Sequence, residues 1–277
     1  PDNAWEMGFS AFNAAGDLSV AAIARRTGTD NGTMRRYETI LPPGASVTYQ
    51  LRADLFRGEW QEGLKLMFAE RWLYDIGRFD ETLYLRDDLK WIRTSYLMIL
   101  QMAWDREFHD RFTGTEGLEN YLDEYSRLFG HVDVYGIWPT WPRLGLDDRN
   151  QWDLYRDLPG GTASLRRMSR EVRSNGCRFF IAYNPWDKST RDEDHLQGMA
   201  QIIAETEADG VVLDTEGRSS AELQQAADSV RPGVVMYSEG MPVVKDMPGI
   251  VAARVHNALF LSPELNLNKL IRPDFAI

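Results

Sequence analysis

The chain has 277 residues, 43% of them hydrophobic, enough to bury the core of one large domain and too apolar for a disordered chain. Lys and Arg number 31 against 42 Asp and Glu, a net charge of −11 that argues against nucleic acid or an anionic membrane surface as partner. Cys177 is the only cysteine, so no internal disulfide forms, and no apolar run approaches the roughly 20 residues that a membrane-inserted helix needs.

Residues 4–57 carry strand-like runs: Trp5–Phe12, Leu18–Ala24, Met34–Leu41 and Val47–Leu55. Turn clusters such as Gly28-Thr29-Asp30-Asn31-Gly32 and Pro42-Pro43-Gly44 separate them. This pattern predicts that residues 1–57 end an antiparallel β-sandwich domain, entered midway, so that the rest of the polypeptide is expected to lie outside this chain. Trp60, Leu64, Met67, Phe68 and Trp72 then recur at helical steps, and residues 58–94 are expected to form a helical linker.

From residue 95 the pattern becomes strand, loop, helix, repeated to residue 277. The expected strands are 95–104, 131–138, 178–183, 209–214, 234–237 and 250–255, with a seventh beginning at Phe275–Ile277. Helices are expected over 115–129, 162–174, 190–206 and 219–230, the last two opened by the capping boxes Thr190/Glu193 and Ser219/Glu222. Residues 139–161 read as a long loop. The helix bearing Arg166, Arg167, Arg170 and Arg173 reads as a solvated outer face. Such alternation fits an open doubly wound sheet or a (β/α)8 TIM-type barrel. No glycine-rich phosphate fingerprint follows the first strand, and chemistry-bearing residues follow many strands, which favours the barrel. Only six strands are clear, so the barrel is expected to be incomplete within this chain.

The strand ends carry the candidate site. They close on Trp104-Asp105, on Tyr135 and Trp138 with Trp141 and Arg143 beyond, on Asn184, Trp186 and Asp187, on Asp214, on Glu239, and on His256-Asn257. In a barrel these ends share one face, where active sites are built. Asp214 ends the apolar run DGVVLD, and Glu239 follows VVMYS. Two carboxyl groups converging on one mouth are the minimum equipment for glycosidic-bond cleavage, one as nucleophile toward an oxocarbenium-like centre and one as general acid/base. The aromatic residues suit the apolar faces of a sugar, so the expected partner is an oligosaccharide or glycoside. His195, among acids at a helix start, is accounted for by the helix dipole, and neither a metal nor any cofactor is expected.

These residues carry a resemblance. DGVVLDT is similar to the fourth-strand signature of α-galactosidase-like and α-glucosidase-like barrels, in which the last Asp is the nucleophile. An Asp after the fourth strand and a Glu after the fifth resembles the α-amylase and endo-α-N-acetylgalactosaminidase arrangement, in which the Glu is the acid/base. YNPWD, DGVVLDT and MYSEGM, with the β-rich tail before them, resemble bacterial glycoside-hydrolase-related proteins built of a β-sandwich and a (β/α)8 barrel. Two departures stand out: Val212 occupies a position where the amylase group has Arg, and His256-Asn257 stand where the α-galactosidase group has its acid. Both comparisons imply Asp214 as nucleophile; one implies Glu239 as acid/base. The activity implied is that of a retaining glycosidase acting on α-glycosidic bonds. The alternative is a non-catalytic carbohydrate-binding protein on a degenerate barrel, which would keep the aromatic lining without the acid geometry. A lyase or aldolase would want a strand-end lysine, and only Lys188 and Lys245 are near. An extracellular or periplasmic location is expected if the full-length precursor carries a signal peptide.

Overall fold

The two hydrophobic patterns of the chain fold as two kinds of sheet. The structure, a computed structural model, describes residues 7–34, 39–71, 79–110, 112, 114–139, 149–185, 187, 194–214, 221–239 and 244–253. These fall into two compact units, one up to Asp80 and one from Glu81.

In the first unit, β1 (Met7–Ala15) and β2 (Leu18–Asp30) pair antiparallel. β3 (Thr33–Met34) and β4 (Thr39–Ile40) form a small antiparallel pair of their own. A chain that pairs Thr33 with Ile40 must reverse between them, so the run expected as one strand over Met34–Leu41 is not one. β5 (Ser46–Arg57) then pairs antiparallel with β2, giving a sheet of order β1-β2-β5. α1 (Trp60–Arg71) covers one face: Met67 packs with Ala21 and Ile23 of β2 and against Ala11 and Phe56. The helix lies close because Gly63 meets the Phe56 ring, where an added Cβ would stand 2.6 Å from a ring carbon. On the other face the register aligns Phe12, Val20 and Leu55, and Ala24 with Leu51; Phe12, Leu51 and Leu55 are exposed. Apart from the small β3–β4 pair, the described residues of this unit thus show one three-stranded sheet with a helix on one side.

The second unit opens with α2 (Thr82–Leu85) and a 3-10 helix over Asp87–Thr94, within the stretch expected as a helical linker. β6 (Met98–Met102) follows, then a short hairpin of β7 (His109–Asp110) and β8 (Thr115–Glu116). The hairpin takes the first residues of the helix expected from Thr115, and α3 runs Leu118–Phe129 after Gly117. β9 (Val134–Trp138) precedes α4 (Gln151–Arg156) and α5 (Gly161–Ser174). α4 lies inside the stretch expected to be loop. Asn150 starts it with a full capping box, accepting from the Asp153 N–H while the Asp153 carboxylate accepts from the Asn150 N–H. β10 (Arg178–Tyr183) leads to α6 (His195–Thr206), whose cap is Asp194, accepting from the Gln197 N–H; Thr190 and Glu193 lie outside the described residues. β11 (Gly210–Leu213), α7 (Ala221–Asp228), β12 (Val235–Ser238), a 3-10 helix at Val244–Gly249 and β13 (Ala252–Ala253) complete the unit. Ser219 and the run Phe275–Ile277 are likewise outside the described residues.

The six longer-range strands form one sheet of order β13-β12-β11-β10-β9-β6, with every pair parallel. Sequential parallel strands with helices between them curl into a half-barrel, as an incomplete TIM-like barrel requires. Near-continuous apolar strands such as RFFIAY and GVVL fit a sheet covered on both sides.

The amino end of the curl is filled and tied. Phe180 packs against Gly136 and Gly210, where a Cβ would stand 3.4 Å from the Phe180 Cβ and 2.2 Å from its ring respectively. The Trp91 and Phe180 rings meet at right angles 6.0 Å apart, the Trp91 Nε1–H donates to the Gly233 carbonyl, and the Arg178 guanidinium lies over the Trp91 ring. The Tyr84 hydroxyl donates to the Ile250 carbonyl at 2.9 Å. The basic face of α5 is solvated as expected, with Arg166, Arg167 and Arg170 exposed, and it is also engaged: Arg166, Arg170 and Arg173 all pair with Glu207. Asp209, 4% exposed at its side chain, accepts from Arg173, Arg231 and the Phe179 N–H.

Candidate active site

The period of two along each strand decides which side chains enter the half-barrel. The registers align Phe180 with Gly210 and Val235, and Ala182 with Val212 and Tyr237. They also align Ile181 with Val211 and Met236, and Tyr183 with Leu213 and Ser238. Tyr183 stacks on Trp152 of α4 at 5.9 Å, so its set faces the helices. The alternate set lines the inside of the curl.

The ladder continues one step past the strands. Asp214 N–H donates to the Tyr183 carbonyl at 2.8 Å, and Glu239 N–H to the Leu213 carbonyl at 3.2 Å. Asp214 therefore follows Val212 in the inward series, and Glu239 follows Tyr237 beside it. Asn184 follows Ala182 at the same level. The result is a row, Asn184–Asp214–Glu239, across the carboxyl ends of three consecutive parallel strands. Asp214 is 6% exposed, Asn184 is buried, and Glu239 is half-buried. Neighbouring strands stand about 4.8 Å apart, which sets the backbone spacing of the two acids.

The gap beside this row was not anticipated from the sequence. β10 pairs with β9 only as far as Phe180 with Gly136. Beyond that point the strands part, and α4 fills the opening. The Tyr155 hydroxyl donates to the Ala182 carbonyl at 2.8 Å and accepts from the Ala182 N–H at 2.7 Å. One helical turn earlier, the Gln151 amide donates to the Asn184 carbonyl at 2.9 Å and accepts from the Asn184 N–H at 2.8 Å. Side chains four apart on one helix face thus take the backbone bonds that a paired β9 would take. The Gln151 backbone N–H donates to the Asp187 carboxylate at 2.9 Å, and its side-chain nitrogen lies 3.2 Å from His195 Nδ1. Burial pushes the Tyr155 phenol well above its ordinary value, so it stays a neutral hydroxyl. The readable signal was Asn150-x-x-Asp153 with Gln151 and Tyr155 at helical spacing.

The remaining expected site residues divide as follows. Trp138 ends β9 in the inward series, half-buried. Trp104 and Asp105 form the turn just past β6 and are exposed. Asp187 is buried in the β10–α6 loop on Gln151. Tyr135 does not line the mouth. Three positions from Trp138, it falls on the opposite side of the strand, buried between Phe179 at 6.2 Å and Tyr121 of α3 at 6.1 Å, with its hydroxyl donating to Gln101 Oε1. Trp141, Arg143, Trp186, His256 and Asn257 lie outside the described residues. Among the described residues, no group of three His, Cys, Asp or Glu side chains gathers that could hold a metal ion.

No family model matches the sequence, and no curated protein matches it. Solved structures do. The ligand-free α-N-acetylgalactosaminidase NagBb from Bifidobacterium bifidum is similar with a TM-score of 0.53 at 12% identity, over 96% of this chain and 59% of that one. The same enzyme in its GalNAc complex is similar with a TM-score of 0.52 at 13% identity, over 97% and 57%. This chain therefore spans under two thirds of the chains it resembles. At such identity the likeness is one of fold: the chain shares the architecture of the part of these structures that it covers.

Proposed function

We propose that this protein is a glycoside hydrolase acting on α-glycosidic bonds with retention of configuration. Asp214 attacks the anomeric carbon and forms a glycosyl-enzyme. Glu239 protonates the leaving oxygen and then activates the water that releases the sugar. The observation that carries this reading is the level pairing of two acids on the inward side of adjacent parallel strands. Adjacent strands set the two backbones about 4.8 Å apart, which leaves the carboxyl groups able to reach the roughly 5–5.5 Å separation of retaining enzymes. Trp138, Trp104 and, from the sequence, Trp141 and Trp186 supply apolar faces for an oligosaccharide or glycoside, with Asn184, Asp105, Asp187 and the sequence candidates His256 and Asn257 as polar contacts.

The test is turnover of aryl α- and β-glycosides, with product configuration followed by NMR. Asp214→Ala should abolish turnover of every substrate, and azide should restore some of it with inverted product. Glu239→Ala should keep the first step on substrates with good leaving groups. Inversion by the unmodified protein, or full activity of Asp214→Ala, refutes the assignment. Sugar binding without turnover would point instead to a carbohydrate-binding protein on a barrel that has lost its chemistry.

A further inference from the structure

We propose that Gln151 is a positioning residue for the mouth, holding Asn184 level with Asp214 by taking both backbone hydrogen bonds that the parted β9 strand leaves open. That Asn184 serves a substrate rests on the glycosidase reading; the hold on its backbone does not.

The geometry is that of a strand surrogate. Gln151 is fully buried, and its amide presents one acceptor and one donor in a plane, the same pattern as a peptide group. It meets Asn184 N–H at 2.8 Å and Asn184 C=O at 2.9 Å. At every pH the amide combines both roles, whereas Glu lacks the donor when ionised, and Met has no donor and only a weak acceptor. The second amide hydrogen faces His195 Nδ1 at 3.2 Å, which makes that nitrogen the acceptor. The Gln151 N–H on the Asp187 carboxylate fixes the far end of the same loop. One residue thus sets both Asn184 and Asp187, while Asp214 is tied to the neighbouring Tyr183 carbonyl. A shift in Gln151 moves one member of the Asn184–Asp214–Glu239 row against the other two. Among the described residues, the ionisable groups that meet Gln151 include Asp187, at its backbone N–H, and His195, at its amide, while Asp153 lies on its own helix and Arg149 just before it.

The experiment compares unmodified protein with Gln151→Glu and Gln151→Met over a pH series, with two readouts. The first is hydrogen exchange of the Asn184 amide by NMR. The second is kcat and KM on the best aryl glycoside. A protonated carboxyl can accept from Asn184 N–H and donate to Asn184 C=O, whereas an ionised one repels that carbonyl. Gln151→Glu should therefore protect the Asn184 amide at low pH and lose that protection as pH rises. Its kcat/KM, taken as a ratio to the unmodified protein to remove the pH dependence the two share, should fall on the order of tenfold over the same range. Gln151→Met should be unprotected and slow at every pH. A flat ratio for Gln151→Glu, an Asn184 amide as protected in Gln151→Met as in the unmodified protein, or a folded Gln151→Met with kcat/KM within twofold overturns the proposal. If the unmodified protein turns over no glycoside, the enzymatic reading fails by itself, and the exchange data alone decide whether Gln151 holds Asn184.

Discussion

Replacing Asp209 by Ala tests how the amino end of the half-barrel is held. The carboxylate has a side-chain exposure of 4% and accepts from the Phe179 N–H at 3.0 Å, Arg173 at 3.2 Å and Arg231 at 2.9 Å. Phe179 is fully buried, so its N–H would be left without a partner, at about 1–3 kcal/mol. Arg173 keeps Glu207, and Arg231, 34% exposed, can turn to water, so their loss falls below the 3–5 kcal/mol typical of breaking a fully buried pair. The total comes to about 3 kcal/mol. With an m-value of about 2 kcal/mol/M in urea, the midpoint should fall by about 1.5 M. Asp209→Asn keeps an acceptor for Phe179 and loses only the charge, so it should lose about half as much. Urea titrations followed by far-UV circular dichroism, compared at matched m, give both numbers. An Ala variant within about 0.3 M of the unmodified protein, or an Asn variant no better than Ala, would refute the view that this carboxylate holds the strand start.

Three further outcomes follow from the same geometry. Arg170 first, with Arg166 and Arg173, holds the Glu207 carboxyl below its ordinary value of 4.5; the stability this supplies is present above that pH and lost as pH falls, so the deficit of Glu207→Gln in thermal melts should shrink on acidification. Gly210→Ala would place a Cβ 2.2 Å from the Phe180 ring, costing about 1–3 kcal/mol, and Phe180→Leu in the same chain should recover part of it; additive losses in urea titrations would argue against the contact. Tyr155→Phe leaves the Ala182 N–H and C=O unmet in a buried gap, so it should lose about 2–6 kcal/mol in the same titrations, and an unchanged midpoint would show that β9 can close on β10 without the hydroxyl.

The sequence by itself determined the alternation. Apolar runs of RFFIAY and GVVL type, separated by amphipathic segments, are dictated by local composition, because a strand covered on both faces must be apolar throughout and a helix between layers must be apolar on one side. The placing of Asp214 and Glu239 at strand ends was legible for the same reason: the runs stop there. Sequence could not tell that the two acids share a level. That follows from the register of β11 on β12, which is fixed by packing between residues far apart in the chain. Tyr135 and Trp138 stand three apart on one strand, so a period of two already puts them on opposite sides; which of them faces the mouth was decided only by packing. α4 was hidden inside a stretch rich in Trp, Asp and Pro, since six residues carry too little periodic signal against their flanks. What made it a helix is tertiary: the gap between β9 and β10 leaves four backbone groups that must be satisfied, and Gln151 and Tyr155 satisfy them from one helix face. The basic helix likewise became a clasp only when Glu207 and Asp209, more than thirty residues away, were brought under its arginines.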